Sequence, residues 1–388
     1  MPSSTILTAA FLTAAAMNFL FFTGLGGFVL LPLHLRQLGA TDGQLGLTMA
    51  CYNASAIVVQ PLVGAWVDRG GRRAFLVSGA VLTGAVALAF AAVPEALGWF
   101  PLLRALQGAA FSIFFIANFT VVVDLAPPDR RGQALGIFGI SGLISGAVGP
   151  ALGELVVQAA GFRGLFLASA TLSFLAAGMS ARLALPPAPR PAAGEGLPGL
   201  LRGIAGAPRL PLALGAAFGL GQGVMFTFFP TYALDLGVRW VGVFAVAYSS
   251  AALVLRATSS GLADTAGRRA VIIPAMVLQA AGTVLLAGLG LLRGVGLAAG
   301  PFLALAGVLA GAAHGFLYPA LTALVVDLTP PERRGRVMGV FMAFILVGQA
   351  AGAAGFGHLA HAVGYGPMFA ILSVLLAGAC VLAFRLER

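Results

Sequence analysis

VVDLAPPDRRGQALG, Val122 to Gly136, returns as VVDLTPPERRGRVMG, Val325 to Gly339, at an offset of 203 residues. A second pair of stretches repeats in the same sense. GAWVDRGGRR, Gly64 to Arg73, answers SGLADTAGRR, Ser260 to Arg269, at an offset of 196. Pro32 lines up with Pro230 in the same way. The chain therefore divides into two similar halves, 1–184 and 211–388, joined by the stretch 185–210.

Between these punctuation marks the chain is apolar. Of its 388 residues 60% are hydrophobic and 9% charged. A soluble domain carries about 25% charged residues, so this chain lacks the polar side chains to cover a water-facing surface. With about 20 apolar residues needed per crossing, there is room for about a dozen spans and little else. Their backbone groups must bond to one another in lipid, which makes them helices. Spans are expected near 6–34, 44–66, 74–93, 99–124, 134–158, 163–184, 211–236, 240–263, 270–292, 298–327, 336–361 and 366–385. The expected fold is an all-α membrane protein, twelve transmembrane helices in two pseudo-symmetric six-helix bundles. Met1 to Ile6 has no basic leader region, so no cleavable signal is expected.

The net charge of +10 is topological, and nucleic acid is not an expected partner. All 22 basic residues are arginine; 16 fall in one set of loops and the termini, 4 in the opposite loops, and Arg104 and Arg256 fall inside spans. That bias places both termini and the 185–210 linker in the cytoplasm of a bacterial inner membrane protein. Rich in Pro and Gly, 185–210 is a linker rather than a domain. Six spans separate the halves, so they are parallel repeats, with a substrate site expected between them near the midplane. Cys51 and Cys380 lie in separate apolar segments and form no disulfide framework. His358 and His361, at i, i+3, read as an interfacial pair, and no metal site is expected. No Walker A sequence, nucleophile elbow or metal cluster is present, so enzyme chemistry and ATP-driven transport are not expected, and neither is a cofactor.

Gly64, Asp68, Arg69, Gly71, Arg72 and Arg73 resemble the loop 2–3 signature of the major facilitator superfamily, and the resemblance covers nearly the whole chain. Asp264, Arg268 and Arg269 echo it in loop 8–9, with Thr265 replacing the first basic residue. Arg104, Gln107 and Gly108 are similar to the span-4 motif of drug:proton antiporters. Gly146 to Gly153, GAVGPALG, looks like the span-5 antiporter motif, with Ser145 at the place of its first glycine. The resemblance implies that Asp68 caps span 11 and that Arg72 bridges Asp68 and Asp124, with Asp264 and Asp327 as counterparts. Together they would form a cytoplasmic latch; topology-setting surface charge is the alternative. It implies a monomer whose partners are lipids, a small-molecule substrate and protons, and it favours export.

Gly146, Gly149, Pro150, Gly153 and Gly352 read as hinge and packing positions, since small residues four apart let helices approach. A charge at mid-span costs about 2.5–3.5 kcal/mol, so Arg104 and Glu154 are the expected proton-coupling pair, with snorkelling to the interface as the alternative. Arg256 reads as a snorkelling or interdomain residue rather than a substrate contact. Asn18 is the polar residue of span 1, where some family members carry an acid; Asp42 and Asp235 at the membrane rim are the reserve proton carriers. The expected cavity residues are Asn18, Phe22, Gln107, Asn118, Gln222, Phe226, His314 and Tyr318, each with interhelical bonding or packing as the alternative. The expected function is proton-coupled export of small amphiphilic molecules. An uptake symporter and a non-transporting sensor or lipid-handling protein are the rivals.

Overall fold

The computed structural model of the chain describes residues 5–127, 130–185, 203–204, 206–258 and 266–386. Among the described residues every regular element is helical. In chain order the helices are α1 (Ala9–Gly26), α2 (Leu31–Gln37), α3 (Asp42–Gly70), α4 (Arg72–Ala92), α5 (Phe100–Leu125) and α6 (Arg131–Arg182). The second half supplies α7 (Arg209–Asp235), α8 (Val243–Thr258), α9 (Arg268–Gly294), α10 (Ala299–Asp327), α11 (Arg334–Val363) and α12 (Tyr365–Ala383). Ten helical stretches among the described residues are long and apolar enough to cross a membrane, and α8 is a shorter apolar helix.

The repeat is written in the backbone. Gly71 and Gly267, which precede α4 and α9, have φ of 85° and 87°. Gly39 and Gly237, beyond the ends of α2 and α7, have φ of 84° and 72°. Gly161 and Gly364 have φ of 67° and 81°. A side chain resists this left-handed region, and glycine occupies it without a Cβ clash. Gly364 separates α11 from α12, and its equivalent Gly161, at ψ −175°, breaks the 52-residue α6 where spans 5 and 6 were expected to part.

Span 1 departs from the expected single helix. A 3-10 turn, Gly27–Leu30, divides α1 from α2. Pro32 lacks the N–H that would bond back to residue 28, and adjacent glycines make a tighter turn accessible there. Its repeat partner Pro230 lies inside α7, which is continuous.

Two compact units organise the described residues: those within Met1–Phe28 and Ser55–Gly199, and those within Val29–Ala54 and Leu200–Arg388. In the first, α1 packs on α6, and α4 on α5 and α6. Phe11, Phe21, Phe114 and Phe138 are buried in its core, with the rings of Phe21 and Phe114 stacked at 3.9 Å. In the second, α7 packs on α11, α8 on α10, and α9 on α10 and α12. Close approach of α7 and α11 depends on Gly219, Gly223 and Gly348, where an added Cβ would fall 2.1, 2.2 and 2.1 Å from a backbone oxygen of the facing helix. The beginning of α3 belongs to this second unit: Gly46 faces the Ala353 carbonyl and Gly357 that of Asp42.

Candidate functional site

The repeated Asp and Arg motifs build equivalent pairs at one end of each unit. Arg72 opens α4 and forms an ion pair with Asp124 near the end of α5. In the second unit Arg268 Nε and Asp327 Oδ2 lie 2.9 Å apart. The next arginine of each motif ties down a helix end: Arg73 donates to the Leu183 carbonyl at 2.8 Å, and Arg269 to that of Leu386 at 3.2 Å. The pairs differ in solvent exposure. Side chains of Arg72 and Asp124 are 10% and 14% exposed, those of Arg268 and Asp327 25% and 51%. The side chains of Asp68 and Arg69 lie outside the described residues, as do Asp264 and most of the 185–210 linker. Gly64 is half-buried beside open space.

The first unit buries Arg104 and Glu154, 6% and 7% exposed, on α5 and α6. Arg104 Nη1 donates to Gln107 Oε1 at 2.5 Å, so the span-4 motif is a one-turn side-chain bond along α5. Below it in sequence, Asn118 Nδ2 donates to Asn18 Oδ1 at 3.1 Å, and Asn18 Nδ2 to Ser141 Oγ at 2.8 Å. Asn18 and Asn118 thus bind three helices together. Phe22 packs edge-on to Phe111 and Phe115, at 5.8 and 6.2 Å between centroids.

The glycine motif of α6 lies against α1. Gly149 approaches Thr23 and Gly26, and Pro150 meets Gly26. Gly153 is buried, and Gly146 is half-buried. Ser145, at the motif's departing position, donates to the Phe19 and Ser141 carbonyls at 3.1 and 2.7 Å. Gly352, the repeat partner of Gly149, lies against Leu220 and Val224 of α7.

In the second unit, Gln222 and His314 meet through a residue the sequence did not single out. Gln222 Nε2 donates to Tyr248 Oη, which lies 2.5 Å from His314 Nδ1. Tyr248 was legible only in general terms: a tyrosine on an apolar helix needs a partner for its hydroxyl. Phe226 packs edge-on against Tyr248 at 4.9 Å, and Tyr318 against His314 at 5.8 Å. Arg256 stands over the Tyr318 ring, 5.9 Å from its centroid. This is a cation-π contact inside the second unit.

A further cluster was foreshadowed only by its acids. Tyr365 Oη donates to Asp42 Oδ1 at 2.6 Å and lies 2.9 Å from Thr231 Oγ1. Beside it Arg36 Nη1 pairs with Asp235 Oδ2 at 3.0 Å, and Arg36 stands 5.8 Å from the Tyr365 ring centroid.

An apolar, internally repeated chain whose described residues form helices long enough to cross a membrane, with buried polar clusters inside its helix units, is built as a polytopic membrane protein. Residues 11–296 and 241–388 match the family model of the Major Facilitator Superfamily, and the chain belongs to that family. It is 31% identical over 265 residues to a chloramphenicol resistance protein of Streptomyces lividans, covering 66% of this chain and 65% of that one. A putative sugar efflux transporter of Deinococcus radiodurans is 31% identical over 236 residues, covering 58% of this chain and 60% of the other. The multidrug resistance protein MdtG of Enterobacter lignolyticus is 25% identical over 88% of this chain and 81% of its own. For the Deinococcus protein and two Bacillus subtilis relatives the chain spans 60%, 33% and 30% of their lengths, under two thirds in each case. Among solved structures, a nucleoside transporter, NupG in a D323A form, superposes with a TM-score of 0.79 at 16% identity, covering 97% of this chain and 98% of that one. A bacterial homologue of the lysosomal transporter Spinster gives 0.77 at 16% identity, covering 98% and 97%. At such identities the likeness is one of fold.

Proposed function

We propose that the protein exports small amphiphilic molecules in exchange for protons. It does so by alternating access of two six-helix bundles, 1–184 and 211–388, each with six of twelve spans. On this reading it is a monomer of a bacterial inner membrane, with both termini and the 185–210 linker in the cytoplasm. The observation that carries the reading is the burial of Arg104 and Glu154 on apolar helices of the first unit. An acid beside an arginine is held ionised, whereas an acid alone in an apolar setting takes up a proton. Alternation between these two settings lets Glu154 load a proton on one side and release it on the other. The repeat supports a special role: the equivalent of Arg104 is Gly307, where an added Cβ would fall 2.5 Å from the Phe244 carbonyl. The fold therefore has no general need of a charge at that position. Relatives named for drug and chloramphenicol resistance support the direction.

The test is flux in reconstituted vesicles with and without an imposed pH gradient. Glu154→Gln is expected to bind substrate but to lose its response to the gradient. Arg104→Ala is expected to lose most transport. The double variant should cost little more than either single one, because the two act as one device. Full gradient-driven flux by Glu154→Gln would remove Glu154 as carrier and bring forward Asp42 and Asp235. The sign of the flux separates export from uptake.

A further inference from the structure

Unlike its counterpart in the first unit, the polar cluster of the second unit is rich in donors and poor in acceptors. Gln222 donates to Tyr248 Oη, and we assign the Tyr248 proton to its bond with His314 Nδ1. A neutral His314 then carries its own proton on Nε2, as a further donor. The Tyr318 hydroxyl donates to Met342 Sδ at 3.6 Å, a weak acceptor that a carboxylate would outcompete. Most telling is Arg256. Its Nε and Nη2 are buried with no hydrogen-bond partner among the described residues, while the side chain as a whole stays partly exposed. Its charge acts on Tyr248, Tyr318 and His314, and no carboxylate among the described residues pairs with it. Leaving guanidinium donors buried without an acceptor is costly, and an arriving anion relieves that cost.

The repeat shows that these groups are not demanded by the fold. At an offset of 203, His314 and Tyr318 stand where the first unit has Phe111 and Phe115. Arg256 stands where it has Gln60, at an offset of 196. One unit offers phenylalanine rings at these positions and the other offers a cation, an imidazole and a phenol. Phe226, His314 and Tyr318 are each partly exposed, so the cluster combines an apolar face with its donors.

We propose that Arg256, with His314 and Tyr318, binds the anionic head of the substrate, and that the cargo is an aromatic or apolar monoanion such as a hydrophobic carboxylate. This rests on the exporter reading for its transport step, but the binding site stands on the second unit alone.

The experiment measures binding to purified protein by thermal shift and calorimetry, with 2-naphthoate, 2-naphthamide and 2-naphthylmethylamine as matched probes. The wild type is expected to bind naphthoate and to discriminate against the amide and the amine. Arg256→Gln is expected to weaken naphthoate by about ten- to a hundredfold while leaving the amide unchanged. Arg256→Lys should recover part of that loss. His314→Phe, which installs the residue of the equivalent position, should weaken naphthoate independently and keeps the test open if Arg256→Gln does not fold. Equal binding of the three probes, no naphthoate binding up to its solubility limit, or undiminished naphthoate affinity in a folded Arg256→Gln protein would overturn the proposal. Flux of naphthoate from vesicles is read separately. Arg256-dependent binding without gradient-driven flux would sink the exporter reading and leave the site standing. Gradient-driven flux of cationic dyes alone would do the reverse.

Discussion

Gly223 illustrates how much a single residue position decides in this chain. An alanine Cβ there would fall 2.2 Å from the Gln349 carbonyl, so α7 and α11 would have to separate. Overpacking of this kind costs about 1–3 kcal/mol, more than the helix gains by losing a glycine. Gly223→Ala is therefore expected to lower the thermal midpoint in detergent. Gly178→Ala on α6, where nothing lies within 4 Å, should leave it unchanged or raise it. The two arginine pairs make a second contrast. Removing one partner of a mostly buried pair costs about 3–5 kcal/mol, whereas an exposed pair contributes about 0–1 kcal/mol. Arg72→Ala should thus destabilise clearly more than Arg268→Ala, as read by the same thermal midpoints; equal losses would contradict the difference in burial. The residues of both pairs were legible in the sequence, because the motif repeats. Their unequal exposure was not, because it depends on what covers each end. Tyr248, the link between Gln222 and His314, was missed because nothing local distinguishes it from any other tyrosine on an apolar helix.

Among the elements, the breaks say more than the helices. Gly161 and Gly364 hold the same left-handed backbone at equivalent points of the repeat. A Cβ at positive φ with ψ near 180° costs about 1–3 kcal/mol, so alanine at either position should destabilise by a similar amount. A neutral Gly161→Ala would mean that α6 runs on without the break. The expected spans were close to the observed helices where apolar length and Pro or Gly punctuation agree. Within the first, Ala9–Gln37 runs as one apolar stretch, and the sequence did not foretell its tightening to a 3-10 turn at Gly27–Leu30, next to Pro32, which lacks a backbone donor. Segment 29–54 was assigned to the first half by sequence order, yet it packs within the second unit, tied there by Tyr365, Asp42 and Arg36. Tyr365→Phe deletes the hydroxyl that serves both Asp42 and Thr231. Amide hydrogen exchange over 39–46 is expected to quicken in that variant and to stay unchanged in Phe384→Leu. Unchanged exchange in Tyr365→Phe would show that glycine packing alone holds the segment.

At the scale of the whole molecule, the arginine asymmetry predicts one topology. Single cysteines at 190–205 or at the C-terminus, in a background lacking Cys51 and Cys380, should resist impermeant thiol reagents added outside intact cells; labelling from outside would refute the twelve-span orientation. Family, helical class and repeat were all determined by the sequence by itself. Apolar length, charge at the span ends and a recurring motif are one-dimensional signals, and lipid admits helices that satisfy their own backbone. Which faces of those helices meet was decided only by the tertiary structure. A helix such as α10 is apolar all round, so its sequence carries little periodic signal for rotation about its own axis. Packing set that rotation. It brought His314 and Tyr318 of α10 to Tyr248 and Arg256 of α8, and it joined Asn18 to Asn118 and Ser141.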